Sequence, residues 1–207
     1  MVDENRKLLF TIGHSNQDSQ NFLKLLSDNL IQVLVDIRSH PHSKFASQFN
    51  TATLKRALAD KGIKYLYLGR ELGGKPPNPS LYDNEGYALY NLIAQSPSFI
   101  KAVQRLLKGL ESCRIALMCS EEDPSECHRH LLIGQVMARE GVQVLHIRAD
   151  GRSQPDEQIT KNSAQVSSQL SMFPEQEEGS WRSAKSIRSA SQNGVPNNSS
   201  KPSRMLG

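Results

Sequence analysis

Cysteine is scarce and odd in number: Cys113, Cys119 and Cys127 are the only three in 207 residues. So sparse a set excludes a disulfide framework, and no C-x-x-C pair is present to form a redox motif or a zinc knuckle. Long apolar runs are also missing, and none approaches the roughly 20 residues of a membrane-spanning helix. Residues 1–7 are polar and charged, unlike a signal peptide. Neither sign of charge dominates. The formal net charge is +4, which permits an anionic ligand without requiring one. There is no internal repeat. These absences lead to the expectation of a cytoplasmic chain with no membrane partner; nothing in the composition sets an oligomeric state.

Apolar residues are concentrated before Asp150. Residues 151–207 are rich in Ser, Gln, Asn, Pro and charge, and their few apolar positions show no period. Such a stretch buries too little surface to offset its ordering entropy. The chain therefore divides into one domain, residues 1–150, and a disordered Ser/Gln/Asn-rich tail, residues 151–207. Within the domain, strand-like runs at 8–12, 33–37, 63–68, 114–119 and 142–147 alternate with helical patterns at 18–29, 51–61, 87–95, 98–111 and 123–140. Asp123, Pro124 and Glu126 are start signals for the last helix. The connection 69–85 is long enough to be a lid or a functional loop. Alternation of this kind predicts a single α/β domain. Its mostly parallel five-stranded sheet carries helices on both faces in a Rossmann-like, doubly wound arrangement.

In such a sheet the strand C-termini share one edge, where ligands bind. The residues leaving the strands there are unusually reactive. Cys119 ends the fourth strand just before a helix start, a place that favours a thiolate or an anion, and it is the expected nucleophile. The alternative is a buried, inert cysteine. His14 is read as a general base, or as a partner for the following helix. Glu71, beside Gly73-Gly74, is read as a second proton carrier. Arg38 and Arg129 would hold the anion; Arg38 also faces Asp36 as a structural partner, and Arg129 has Asp36 or Glu71 as structural alternatives. Asn16, Ser39, Ser120 and Glu121 complete the expected substrate contacts, with Ser120 and Glu121 equally suited to capping a helix. Gly13 would let the chain approach a ligand closely. In a continuous helix Cys127, His128 and Arg129 point about 100° apart, so at most two of them face the pocket. The spacing Cys119-x7-Cys127-His128 is not a standard zinc pattern, so no metal and no cofactor is assigned.

Thr11-Ile12-Gly13-His14-Ser15, Asp36-Ile37-Arg38-Ser39 with Pro41 and Ser43, Phe49-Asn50, Leu68-Gly69-Arg70-Glu71-Leu72-Gly73-Gly74, and Cys119-Ser120-Glu121 with Cys127-His128-Arg129 together resemble the DUF488 family, a domain of unknown function. The motifs run in order across residues 9–148. The resemblance implies a compact α/β domain and no settled activity.

The expected function is that of a cytosolic, cysteine-dependent hydrolase or transferase. Its substrate is a small anion, nucleotide-like in the narrower reading. The alternative is a non-catalytic module binding nucleotide or nucleic acid. His40, His42, Lys44, Phe45, Lys55 and Arg56 form a basic stretch with one aromatic that would serve it, although no named recognition motif is present.

Overall fold

The alternating segments build a doubly wound sheet. The computed structural model describes residues 7–160 and 181–187. Strands β1 (Leu8–Gly13), β2 (Val33–Asp36), β3 (Lys64–Tyr67), β4 (Ile115–Cys119), β5 (Gln143–Ile147) and β6 (Ser153–Pro155) lie in the order β3-β2-β4-β1-β5-β6. The first five are parallel, and β6 runs antiparallel to β5. The sheet thus has one edge strand more than the five expected. Ser153, Gln154 and Pro155 lack the apolar alternation that marks a strand; a turn at Gly151 (φ 88°) folds them back onto β5. Of the segment 151–207, read from composition as a disordered tail, residues 161–180 and 188–207 lie outside the described residues, whereas 153–160 and 181–187 pack on the sheet or its loops.

The helices are α1 (Ser19–Asp28), α2 (Thr51–Ala59), α3 (Gly69–Leu72), α4 (Tyr90–Ala94), α5 (Pro97–Gly109) and α6 (Gln135–Arg139). Asp18 caps α1, its carboxylate accepting from the Gln20 and Asn21 amides. Period-two burial along the strands separates two cores. Phe10, Ile12, Leu34, Ala116 and Met118 pack against Phe22, Leu26, Leu54 and Leu58 of α1 and α2. Leu9, Val35, Leu117 and Val144 pack against Tyr90, Phe99, Leu106 and Met137 of α4, α5 and α6. From β1 and β2 the chain departs toward one edge of the sheet, and from β4 toward the other. The C-terminus of β4, flanked by β2 and β1, therefore sits at the point where connections diverge and a crevice opens. No helix among the described residues is long and apolar enough to cross a membrane.

The helix expected over 123–140 is broken. Asp123 does cap its start, accepting from the Ser125 amide at 2.9 Å, but only a 3₁₀ turn, Pro124–Glu126, follows. Cys127 is extended (φ −105°, ψ 141°), and a π-helical stretch, Arg129–Gly134, leads into α6. The capping signals govern the first turn alone. Beyond it, the contacts made by Cys127 and Arg129 override local propensity.

A buried polar chain ties β6 to the sheet. Asp156 Oδ1 lies 2.6 Å from His130 Nδ1 and 2.8 Å from His146 Nε2. His146 Nδ1 is 2.7 Å from the Thr11 hydroxyl, which accepts from Arg129. Burial holds His146 below its ordinary value, against the upward pull of Asp156. Burial would raise Asp156, but the two imidazole donors outweigh it and keep it low. The sign follows from linkage. As pH falls below the ordinary histidine value of about 6.5, the unfolded chain takes up a proton that folded His146 refuses, so stability falls. His14, also depressed, acts in the same direction. Each contributes at most ~1.4 kcal/mol per pH unit. Urea midpoints are expected to drop between pH 7 and 5, with a shallower slope in His146→Gln. Because His128 is raised and acts in the opposite direction, the slope difference is the test: an unchanged slope in His146→Gln would refute the assignment.

Candidate functional site

The parallel pairing of β1 with β4 puts Gly13 beside Cys119. It continues past both strands, His14 N–H donating to the Cys119 carbonyl at 3.0 Å and Ser15 N–H to that of Ser120 at 2.8 Å. The next two residues then cross directly over Gly13. A Cβ there would lie 1.8 Å from the Glu121 carbonyl oxygen, so the close approach that Gly13 permits is to the Glu121–Glu122 backbone.

This path brings four reactive side chains together. Cys119 Sγ lies 2.9 Å from Cys127 Sγ and 3.9 Å from His128 Nδ1. Cys127 Sγ lies 3.7 Å from the same nitrogen and 3.4 Å from Glu121 Oε2. That carboxylate also accepts from the Cys119 thiol. The Arg129 amide points at Cys127 Sγ from 3.5 Å. Both cysteines are free thiols and buried, whereas Glu121 stands at the exposed rim. Burial, and then the neighbouring Cys127, push Cys119 well above the ordinary thiol range. Burial would raise Glu121, but hydrogen bonding from Cys119 holds it low. Burial would lower His128, but the sulfur of Cys119 and the carboxylate of Glu121 raise it overall. Cys119 is thus a poor free thiolate, since the downward pull of His128 does not offset burial and Cys127.

The cluster floors a cavity of about 380 Å³ whose walls include Ser39, Lys75, Tyr90, Ser120 and residues 183–187. Of the expected site residues, Cys119, Arg38, Ser39, Ser120 and Glu121 line it. His14 and Asn16 line an adjoining cleft with Phe45, a cleft that shares Arg38, His40 and Ser120 with the cavity. Both nitrogens of His14 are engaged: Nδ1 lies 2.7 Å from the Ser15 carbonyl, and Nε2 accepts from Arg38 at 3.0 Å. Its ring stacks on Phe49. Arg38 is largely spent inside the protein, on Asp36 and the Phe49 carbonyl. Ser39 Oγ accepts from the Lys75 amide at 2.9 Å, fixing the loop that carries Lys75.

Glu71, on α3, and Arg129 do not line the cavity. Arg129 is 0% exposed and donates to Thr11 and the Glu122 carbonyl, not to Asp36 or Glu71. It is a strut beneath the site.

A continuous helix would point Cys127, His128 and Arg129 about 100° apart, but the helix is broken at Cys127. The extended backbone there turns Cys127 and His128 toward Cys119. The signal for this lay in the ligand-type residues of the Cys119 to His128 run, not in their spacing. The wall formed by residues 183–187 has no counterpart in the sequence reading. It is anchored by Trp181, whose Nε1 donates to the Leu131 carbonyl at 2.7 Å and whose own carbonyl accepts from the Tyr90 amide at 2.8 Å.

Comparison with known proteins matches residues 18–136 to the family model described as Domain of unknown function DUF488. No curated protein and no solved structure matches the chain.

Proposed function

This chain belongs to the DUF488 family, a domain of unknown function, and from that premise we propose that it is a cytosolic enzyme acting on a small anionic substrate in the cavity at the C-terminal edge of the sheet. The observation that carries this reading is the floor of that cavity: two thiols, a carboxylate and an imidazole meet there, at the point where the sheet's connections diverge. Free cysteines in this number fit a reducing compartment. Lys75 reaches the wall as an exposed cation without an ion pair among the described residues, whereas Lys185 is paired with Glu126. The hydroxyls of Ser39 and Ser120 supply neutral contacts. The reaction class is hydrolysis or group transfer at an electrophilic centre of the bound anion, with Cys119 as the essential sulfur.

A second reading, a nucleotide- or nucleic-acid-binding surface, has one observation in its favour. Phe45 is 95% exposed beside His42 and Lys44, on the cleft that adjoins the cavity. Aromatic stacking next to cations is the usual device for unpaired bases.

Titration calorimetry with inorganic phosphate, nucleoside mono- and diphosphates and small carboxylates tests both readings. Lys75→Ala is expected to weaken the binding anion by roughly 10-fold or more, the value of one charge-assisted hydrogen bond. Cys119→Ser should abolish any turnover found, with binding retained. If no anion on the panel binds, or Lys75→Ala binds as well as the parent, the cavity reading fails. Steeply salt-dependent oligonucleotide binding that Phe45→Ala removes, without turnover, would favour the second.

A further inference from the structure

We infer that Cys119, Cys127, His128 and Glu121 together bind one divalent transition-metal ion of the zinc class. For its location this deepens the cavity reading above, but the ion is bound or not regardless of any substrate. The donor set is two sulfurs, one imidazole nitrogen and one carboxylate oxygen, all within 4.8 Å of one another. Zinc takes these donors in tetrahedral array. Its bond lengths place pairs of ligand atoms about 3.3–3.8 Å apart. The Cys127–His128 distance of 3.7 Å and the Cys127–Glu121 distance of 3.4 Å fall within that spacing, and the Cys119–His128 distance of 3.9 Å lies just beyond it. The two sulfurs, at 2.9 Å, are far beyond disulfide length, about 2.05 Å, and must open by roughly 1 Å to reach tetrahedral spacing around an ion, as must the closer contact between Cys119 and Glu121.

Charge points the same way. Three groups that ionise to anions converge on one small volume, with a single imidazole among them. A dication resolves this: two thiolates and the Glu121 carboxylate surround it, neutral His128 ligates through Nδ1, and the two thiol protons leave to solvent. The Arg129 amide is already aimed at Cys127 Sγ, where it would support a thiolate. Sulfur donors favour zinc-like ions over magnesium or calcium.

The frame for these ligands is already built. A Cβ on Gly74 would fall 2.9 Å from His128 Cγ, so the Gly74 backbone presses on the imidazole and fixes its place. Glu121 is set by the backbone crossing at Gly13. The other grouping of ligating side chains, His130, His146 and Asp156, offers a contrast. Its members are all buried and already linked by hydrogen bonds, Asp156 Oδ1 to His130 Nδ1 and His146 Nε2, and His146 Nδ1 to Thr11. The Cys119 cluster instead opens on a cavity.

Cobalt(II), a spectroscopic stand-in for zinc, is titrated into the reduced full-length chain after treatment with a chelator. The expected result is one ion per chain, with thiolate-to-cobalt charge-transfer absorption that zinc abolishes by displacement. Cys119→Ser and Cys127→Ser should each weaken binding by more than ~100-fold, beyond the effect of losing a group that only supports a ligand. Cys113→Ser, just before the N-terminal end of β4 and so at the opposite end of the strand from the site, should leave it unchanged. Should either buried-cysteine variant not fold, Glu121→Gln at the exposed rim must still weaken binding and shift the visible bands. The inference is overturned if the reduced chain gives no charge-transfer band, if the band survives intact in these variants, or if thiol counting finds a Cys119–Cys127 disulfide in the chain as isolated. Because no substrate is present, the two readings fail separately. An intact cobalt site with no anion bound removes only the substrate reading, and anion binding without a cobalt site removes only the metal.

Discussion

Arg38→Leu is expected to destabilise the chain by about 3–5 kcal/mol, the range found when one partner of a buried ion pair is removed. Asp36, at the end of β2, is 0% exposed. Its Oδ1 accepts from the Arg38 amide at 3.1 Å and from Nε at 2.9 Å; its Oδ2 accepts from Arg38 at 2.6 Å and from the Tyr65 hydroxyl at 2.8 Å. Leucine leaves that carboxylate with one amide and one phenol. It also strips a donor from the Phe49 carbonyl and from His14 Nε2. The damage therefore comes from what remains buried, more than from the attraction lost. Asp36→Leu combined with Arg38→Leu should recover much of the deficit, because no charge is then stranded. Urea denaturation measures both, with an unchanged m-value showing that the transition keeps its character. A loss below 1 kcal/mol in the single variant would mean that water reaches Asp36, and that Arg38 is freer for a ligand than its contacts imply.

That pair also shows how far the sequence could be read. Asp36 and Arg38 share a strand face by simple alternation, so their partnership was visible two residues apart. The parallel sheet and its helices were legible because apolar periodicity is local and strong at 8–12, 33–37 and 114–119. The cluster at Cys119 was half legible. Topology placed Cys119 and Glu121 at the correct edge. Cys127 and His128 were misdirected because the Asp123-Pro124 cap argues for a helix that the backbone abandons at Cys127. Nothing within a few residues of Cys127 encodes that break. It comes from Arg129 reaching Thr11 and the Glu122 carbonyl across the sheet. Strand β6 and the wall at 183–187 escaped for a related reason: they are held by backbone pairing and by single anchors, Asp156 and Trp181, in stretches whose average composition is that of a solvated tail.

Gly13→Ala should be the most damaging small substitution at the site, and it tests whether fold and cluster share one support. Gly13 ends β1 in ordinary extended backbone, so alanine brings no conformational penalty of its own. The added methyl would meet the Glu121 carbonyl oxygen at 1.8 Å, its carbon at 2.6 Å and Glu122 Cα at 2.8 Å. All three are backbone atoms, and no side-chain rotation relieves the clash. The crossing loop must lift, and several contacts go with it. Glu122 holds Arg148 through hydrogen bonds of 2.9 and 2.7 Å, its carbonyl receives Arg129, and Glu121 is withdrawn from both thiols. Overpacking of this kind costs about 3 kcal/mol at the upper end of its usual range. The same displacement should weaken cobalt binding at least as much as Glu121→Gln does, since the carboxylate is carried off with its backbone. Measuring the urea midpoint and the cobalt titration on one preparation links the two. Loss of stability with cobalt affinity kept would show that Glu121 is dispensable to the cluster. Loss of both would make Gly13 the residue through which the β1–β4 pairing holds the site in register.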